Sequence, residues 1–215
     1  MEIVPATQQL VEVHQQGIAD LVHQTGPVPY DYQFGNKGLL DRIVKGSLPV
    51  EKTLFGFDGL MLAIEGDAME GDALVGILFS FKGPEFMERK KGLTQVMVDM
   101  VSDKTISIEE VKGLSERSGH AQWLNPVIRK NTYYIHAVAV TAESRGKKFG
   151  VELIQHAMSM GREQGCKGLE LDVMSDNPAV NFYQSQGLEI LAETTAPKPR
   201  DYGVPPEYRM GTTLS

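Results

Sequence analysis

Apolar residues recur at helical intervals between residues 7 and 23, at Leu10, Val11, Val13, Ile18, Leu21 and Val22, and Gly26-Pro27 ends the run. The pattern predicts a first helix. The segment GPVPYDYQFG, Gly26 to Gly35, reads as a loop by its prolines and glycines, yet it carries Tyr30, Tyr32 and Phe34. Aromatic residues in such a loop either fold back over the core or line a pocket. A short second helix is expected from Lys37 to Lys45. Two strand-like runs follow, LMLAIEG from Leu60 and ALVGILFSFKG from Ala73. GDAMEGD between them supplies turn residues, which predicts an antiparallel pair. From Gly83 to Lys130 the spacing turns helical and more polar, with LTQVMVDMV and then SIEEVKGLSER. Ser107 and Glu110 have the spacing of a capping box, and Gly119 stands just past the expected end of the second helix. Residues 83–130 therefore read as a two-helix insertion in a single domain covering 1–215.

After Asn131 the rhythm becomes strand, helix, strand, helix, strand, strand. YYIHAVAV, Tyr133 to Val140, is rich in β-branched and aromatic residues, and Phe149, Leu153, Ile154, Ala157 and Met158 form one face of a helix that ends before Gly165. GLELDVM, Gly168 to Met174, is the next strand. Asn177 can cap and Pro178 can open a helix running to Gln186, with Gly187 at its C-terminal side. LEILAETT and EYRMGTTL close the chain, joined by what reads as a proline-rich loop with Pro197, Pro199, Pro205 and Pro206. The strand-helix-strand unit from Tyr133 to Met174 calls for parallel neighbours in a mixed sheet, hence an α/β or α+β fold with helices on both faces.

Composition narrows the function classes. With 41% hydrophobic and 23% charged residues the chain has the make-up of a globular protein. Its 21 basic and 28 acidic residues give a net charge of −7, which argues against nucleic acid or an anionic membrane as the main partner and favours a cationic substrate. The single cysteine, Cys166, excludes an intramolecular disulfide and a cysteine-based metal cluster, and a reducing cytoplasm is the simplest compartment for it. The N-terminal residues resemble no signal peptide, and the apolar run from Ala73 to Phe81 is too short to span a bilayer. His14, His23, His120, Trp123 and Cys166 have no company that would make them ligands or nucleophiles, so no metal site is expected.

The turn VTAESRGKKFG, Val140 to Gly150, carries the clearest chemistry. Gly146 and Gly150 allow close backbone approach, the start of the following helix presents free amides, and Arg145, Lys147 and Lys148 add positive charge. Such a loop suits a pyrophosphate, although its basic residues could also simply face water. Neither G-x-x-x-x-G-K-[ST] nor G-x-G-x-x-G occurs here, so sites for ATP and NAD are disfavoured.

The run VAVTAESRGKKFG, followed by LELDVMSDNPAVNFYQSQGL, resembles the GNAT acetyltransferase superfamily over about Ala137 to Leu188. Two family motifs stand in the right order, R/Q-x-x-G-x-G/A for the pyrophosphate loop and N-x-x-A-x-x-x-Y with a nearby glycine for the cofactor-side helix. The resemblance implies a mixed, largely antiparallel sheet with a central parallel pair splayed at a bulge, and acetyl-CoA as cosubstrate. It further implies that Arg145, Gly146, Lys147, Lys148, Phe149 and Gly150 supply pyrophosphate-binding amides. Val138 and Val140 would offer main-chain groups to the pantetheine arm, Asn177 and Asn181 would touch CoA, and Tyr183 would protonate the departing thiolate. Two positions depart from the family: Lys148 stands where glycine is usual, and Asn177 lies six residues before Tyr183 rather than seven.

An alkylammonium is mostly charged at pH 7, which costs about 4 to 5 kcal/mol in population before it can attack a thioester. Asp172 stands where some similar enzymes hold a carboxylate, as a base or as a counter-charge for a cationic substrate. Glu170 shares its strand face, and His136 is on the neighbouring strand. The expected activity is N-acetyl transfer to a primary amine of a small molecule or peptide by direct attack, with a homodimer allowed by the resemblance. A CoA-binding module without catalysis, and a partner-binding protein with a vestigial site, are the alternatives.

Overall fold

The computed structural model describes residues 1–66, 73–122, 124 and 127–215. A seven-stranded sheet organises the chain: β1 (Glu2–Pro5), β2 (Leu60–Glu65), β3 (Ala73–Lys82), β4 (Thr132–Val140), β5 (Gly168–Met174), β6 (Glu189–Thr194) and β7 (Glu207–Thr213), in the order β1-β2-β3-β4-β5-β7-β6. Every neighbouring pair is antiparallel except β4 and β5. The short β1 was not legible in the sequence; it ends in Pro5, which has no amide to give and sits on an edge strand where none is required. The predicted turn over Gly66 to Asp72 lies outside the described residues apart from Gly66, but the antiparallel pairing of β2 with β3 that it implied is present.

Alternation along the strands divides the core in two. Leu62, Ile77, Phe79 and Tyr134 face α1 (Gln8–Gln24), α3 (Lys37–Ser47), α4 (Phe86–Ser102) and α5 (Ile108–Ala121). Leu78, Tyr133, Ile135, Leu169, Leu171 and Met210 face α6 (Phe149–Glu163) and α7 (Ala179–Ser185). Capping residues set the helix starts: the Thr7 side chain accepts from the Leu10 amide, Asn36 from Leu39, and Ser107 with Glu110 completes the capping box that their spacing predicts. The helix α5 runs through Gly119 to Ala121, further than expected. The helices α4 and α5 intervene in sequence between two strands that pair directly, and Leu93, Val96, Met100 and Leu114 bury themselves in the same cluster as α1 and α3.

Two segments expected to be loops are helices. Pro27–Phe34 forms α2 and Pro197–Tyr202 forms α8. In both, the prolines occupy the first turn, where an amide would have no intrahelical acceptor, and a glycine in the left-handed region closes the helix, Gly35 at φ 81° and Gly203 at φ 100°. Residues that break a helix from inside mark its two ends here.

Candidate active site

The parallel strands part company midway. Pairing of β4 with β5 runs from Thr132 opposite Gly168 to Ile135 opposite Leu171 and stops, although β4 continues to Val140 and β5 to Met174. The cause is visible on the other side of β4. Phe79 of β3 lies opposite Ala137 while Ser80 lies opposite Ile135, so His136 is an extra residue, a bulge that turns the rest of β4 away from β5. The Thr141 amide donates to the Val75 carbonyl at 2.9 Å, toward β3. Because backbone groups alternate in direction along a strand, those of Val138 and Val140 face the opened gap.

In the loop at the mouth of this gap the Arg145 amide donates to the Ala142 carbonyl at 3.3 Å and the Lys147 amide to that of Ser144 at 3.4 Å, so it is the amides of Gly146, Lys148, Phe149 and Gly150 that remain for a ligand. A short 3-10 turn, Ala142–Ser144, leads to Arg145, then to Gly146 at φ 80° and Lys148 at φ 69°. Lys148 adopts the left-handed conformation expected of the usual glycine, at a cost of about 1 kcal/mol, so the loop keeps its course despite the side chain. No side chain caps α6, and the first bond into the helix is from the Glu152 amide to the Lys148 carbonyl at 3.2 Å. The amides of Phe149 and Gly150 therefore stand at the open, positive end of the helix. Phe149 is buried and anchors the turn, while Arg145, Gly146, Lys147 and Lys148 are exposed. Lys147 lies 3.3 Å from Glu65 and over the Phe149 ring.

On the β5 side, the Asn177 side chain accepts from the Ala179 amide at 2.9 Å, so it shapes the entry into α7, and Asn181 is exposed on that helix. Gly187 lies beyond α7 at φ 84°. Tyr183 is buried in the cluster that Val138 and Val140 pack against, 5.4 Å from the Phe182 ring. Burial raises its phenol pKa, so it stays protonated at neutral pH.

The opposite face of β5 and β7 carries a charged group that the sequence shows only in part. Asp172 is gripped by Arg209 of β7, from Nε to Oδ1 at 2.5 Å and from Nη2 to Oδ2 at 2.8 Å, and the Tyr134 hydroxyl donates to Oδ2 at 2.8 Å. Both oxygens are engaged. Glu170, 1% exposed, takes Arg209 at 3.0 Å on one oxygen and Arg129 on the other. Burial and then the Asp172 charge raise Tyr134 well above the ordinary phenol range. Glu207, two residues before Arg209, is 7% exposed, its Oε2 has no hydrogen-bond partner, and burial pushes its pKa up to about 9. Sequence reasoning missed Tyr134, Glu207 and Arg209. The signal was two charges of opposite sign at alternate positions in EYRMG, which put them on one face of a strand.

His136, the bulge residue, stacks among Phe55, Phe81, Phe86 and Tyr134 with its Nε2 buried and unpartnered; burial lowers its pKa to about 4. Beyond the end of β5, the Tyr32 hydroxyl of α2 shares a hydrogen bond with His120 Nδ1 of α5 at 3.2 Å, and its ring lies 5.2 Å from Tyr202 of α8. Met174 packs on this cluster, so the three helices meet at the open end of the sheet. Trp123 lies outside the described residues. His23 pairs with Asp31 at 2.9 Å, and Cys166 is buried as a free thiol whose pKa burial raises. Among the described residues no group of three metal-ligating side chains occurs, and no helix is long and apolar enough to cross a membrane.

A mixed sheet whose one parallel pair opens at a bulge, with free helix amides at the mouth and a buried tyrosine nearby, is an arrangement that suits an acyltransferase. Residues 113–188 match the family model described as the Acetyltransferase (GNAT) family. No curated protein matches the chain. Among solved structures it is similar to an N-acetyltransferase from Staphylococcus aureus Mu50, at 16% identity and TM-score 0.68 over 99% of this chain and 100% of that one. A Bacillus subtilis acetyltransferase in complex with CoA superposes at 16% identity and TM-score 0.54, over 100% and 97%. The NatC complex bound to Gag peptide and CoA gives 14% identity and TM-score 0.55 over all of both chains. At these identities the likeness speaks for the fold.

Proposed function

We propose that this acyltransferase moves an acetyl group from acetyl-CoA directly to a primary amine of a small molecule or peptide. The observation that carries the reading is the separation of β4 from β5 beyond Ile135 and Leu171, which leaves the Val138 and Val140 backbone facing a gap. An extended pantetheine arm can add to that strand edge as a further strand would. The amides of Gly146, Lys148, Phe149 and Gly150, with Arg145 and Lys147 beside them, receive the pyrophosphate; Asn177 fixes the turn into α7 and Asn181 faces the cofactor from it. CoA in two similar structures agrees with this use of the fold.

Acetyl-CoA brings an activated thioester, and the strand amides polarise its carbonyl as charge moves onto oxygen. Tyr183 holds its proton at working pH and delivers it to the departing sulfur. Asp172 was expected as a base or as a counter-charge to substrate. With both oxygens bound by Arg209 and Tyr134, we assign it the second kind of task turned inward, holding Arg209 in the wall of the site. The acceptor enters where α2, α5 and α8 converge. A single buried cysteine suits a reducing cytoplasm.

Calorimetric titration with acetyl-CoA, with ATP and NADH as controls, tests the reading. Saturable binding of acetyl-CoA alone, followed by amine-dependent thiol release, is the expected result. Binding without thiol release for any amine would identify a CoA-binding module instead, and no binding would mean a vestigial site.

A further inference from the structure

Glu207 is out of place for a residue with only a structural task. It opens β7, opposite Met174 at the far end of β5 and Thr194 at the end of β6, and it is 7% exposed. A buried carboxyl group is normally paired or hydrogen-bonded, because the interior repays its lost hydration in no other way. Its neighbours Glu170 and Asp172 follow that rule through Arg129 and Arg209, whereas Glu207 Oε2 has no partner. The groups whose charge or dipole it meets come from three further elements: Asp172 on β5, Tyr134 on β4 and Tyr30 on α2, besides Arg209 on its own strand. Thus a buried carboxyl oxygen without a hydrogen bond lies on the sheet face that carries Asp172 and Arg209, at the same end of the sheet where β4 and β5 separate.

We propose that Glu207 receives the acceptor's amino group: its carboxylate binds the incoming ammonium and takes one proton from it. This rests on the reading of the cleft as an acetyl-CoA site. With the site empty, burial and the Asp172 charge keep Glu207 protonated, which lets it remain buried without a partner. An ammonium supplies the missing opposite charge, so binding expels the Glu207 proton to solvent and forms the pair. Transfer of one ammonium proton to Glu207 then frees the nitrogen lone pair. The N–C bond forms, the C–S bond breaks, and the sulfur takes the Tyr183 proton. The second nitrogen proton returns to the Tyr183 phenolate, leaving amide and thiol as products.

The experiment compares wild type, Glu207→Gln and Glu207→Asp by amine-dependent thiol release from acetyl-CoA, with ethylamine, spermidine and an alanyl tripeptide as probes, alongside acetyl-CoA titration of each protein. Glu207→Gln keeps the shape and removes the charge. The expected result is unchanged acetyl-CoA affinity, a rise of about tenfold or more in KM for the amine with a fall in kcat, and partial recovery in Glu207→Asp. Equal amine kinetics in wild type and Glu207→Gln would overturn the inference while leaving acetyl transfer intact. So would acetyl-CoA binding by wild type with none of the three amines turned over. Failure of wild type to bind acetyl-CoA would instead remove the reading beneath it.

Discussion

Asp172 and Arg209 stand opposite each other across the β5–β7 ladder and share two hydrogen bonds, at 2.5 and 2.8 Å, in surroundings that leave their side chains 7% and 4% exposed. Each is where it is because the other is: neither charge would stay buried alone. Removing one partner of a buried pair strands the other, which typically costs about 3 to 5 kcal/mol. Because Arg209 also holds Glu170, Asp172→Asn is expected to fall at the low end, about 3 kcal/mol, in urea unfolding. A base used only in catalysis would lower turnover and leave that midpoint in place.

Tyr183→Phe tests the acid. Thiol release should fall by about a hundredfold or more, while acetyl-CoA affinity and stability hold, since the hydroxyl anchors no other group among the described residues. Full turnover in the variant would remove Tyr183 from the mechanism.

Lys148 lends itself to a stability comparison. Its φ of 69° is natural for glycine and strained for lysine, so Lys148→Gly should be more stable than Lys148→Ala by about 1 kcal/mol, both having lost the charge. Equal urea midpoints for the two would show that the loop relaxes to another course.

His136 should make stability depend on pH on the acid side. Its folded pKa is depressed from 6.5 to about 4, so between those values the unfolded chain binds a proton that the folded one refuses. Stability therefore declines as pH falls from 6.5 toward 4, and His136→Phe should flatten that part of the profile. An unchanged slope in the variant would place the effect elsewhere.

Glu207 has the opposite sign. Its folded pKa is raised from 4.5 to about 9, so its favourable contribution is complete below 4.5 and is lost as pH climbs through that window. Glu207→Gln should gain stability over wild type progressively from pH 4.5 to 9, read by thermal or urea unfolding across pH. A stabilising substitution that impairs amine turnover would mark a residue kept for function at the expense of the fold.

Much of this was written locally. The chain's own periodicity locates α1, α3, α6 and all strands except β1, because an apolar face repeats every 3.6 or 2 residues whatever it packs against. The course of the turn into α6 was legible for the same reason: Arg145, Gly146, Lys148 and Gly150 lie within six residues, and a loop of that length has few courses open to it. The prolines of α2 and α8 misled because proline is acceptable in a first turn and forbidden one turn later, a distinction that depends on where the helix begins.

The sequence by itself determined the order of elements other than β1, α2 and α8, the two motifs and Tyr183's place at the end of one of them, since each depends on neighbours a few residues away. Tertiary structure alone decided that Arg209 closes on Asp172 and that Glu207, 35 residues downstream of Asp172, keeps its Oε2 without a hydrogen bond at the open end of the sheet. Charge pairing acts through space, and the partner of a buried carboxylate is chosen by which strand lies beside it. Here that choice was made by the return of β7 between β5 and β6, a placement that no local spacing in the chain records.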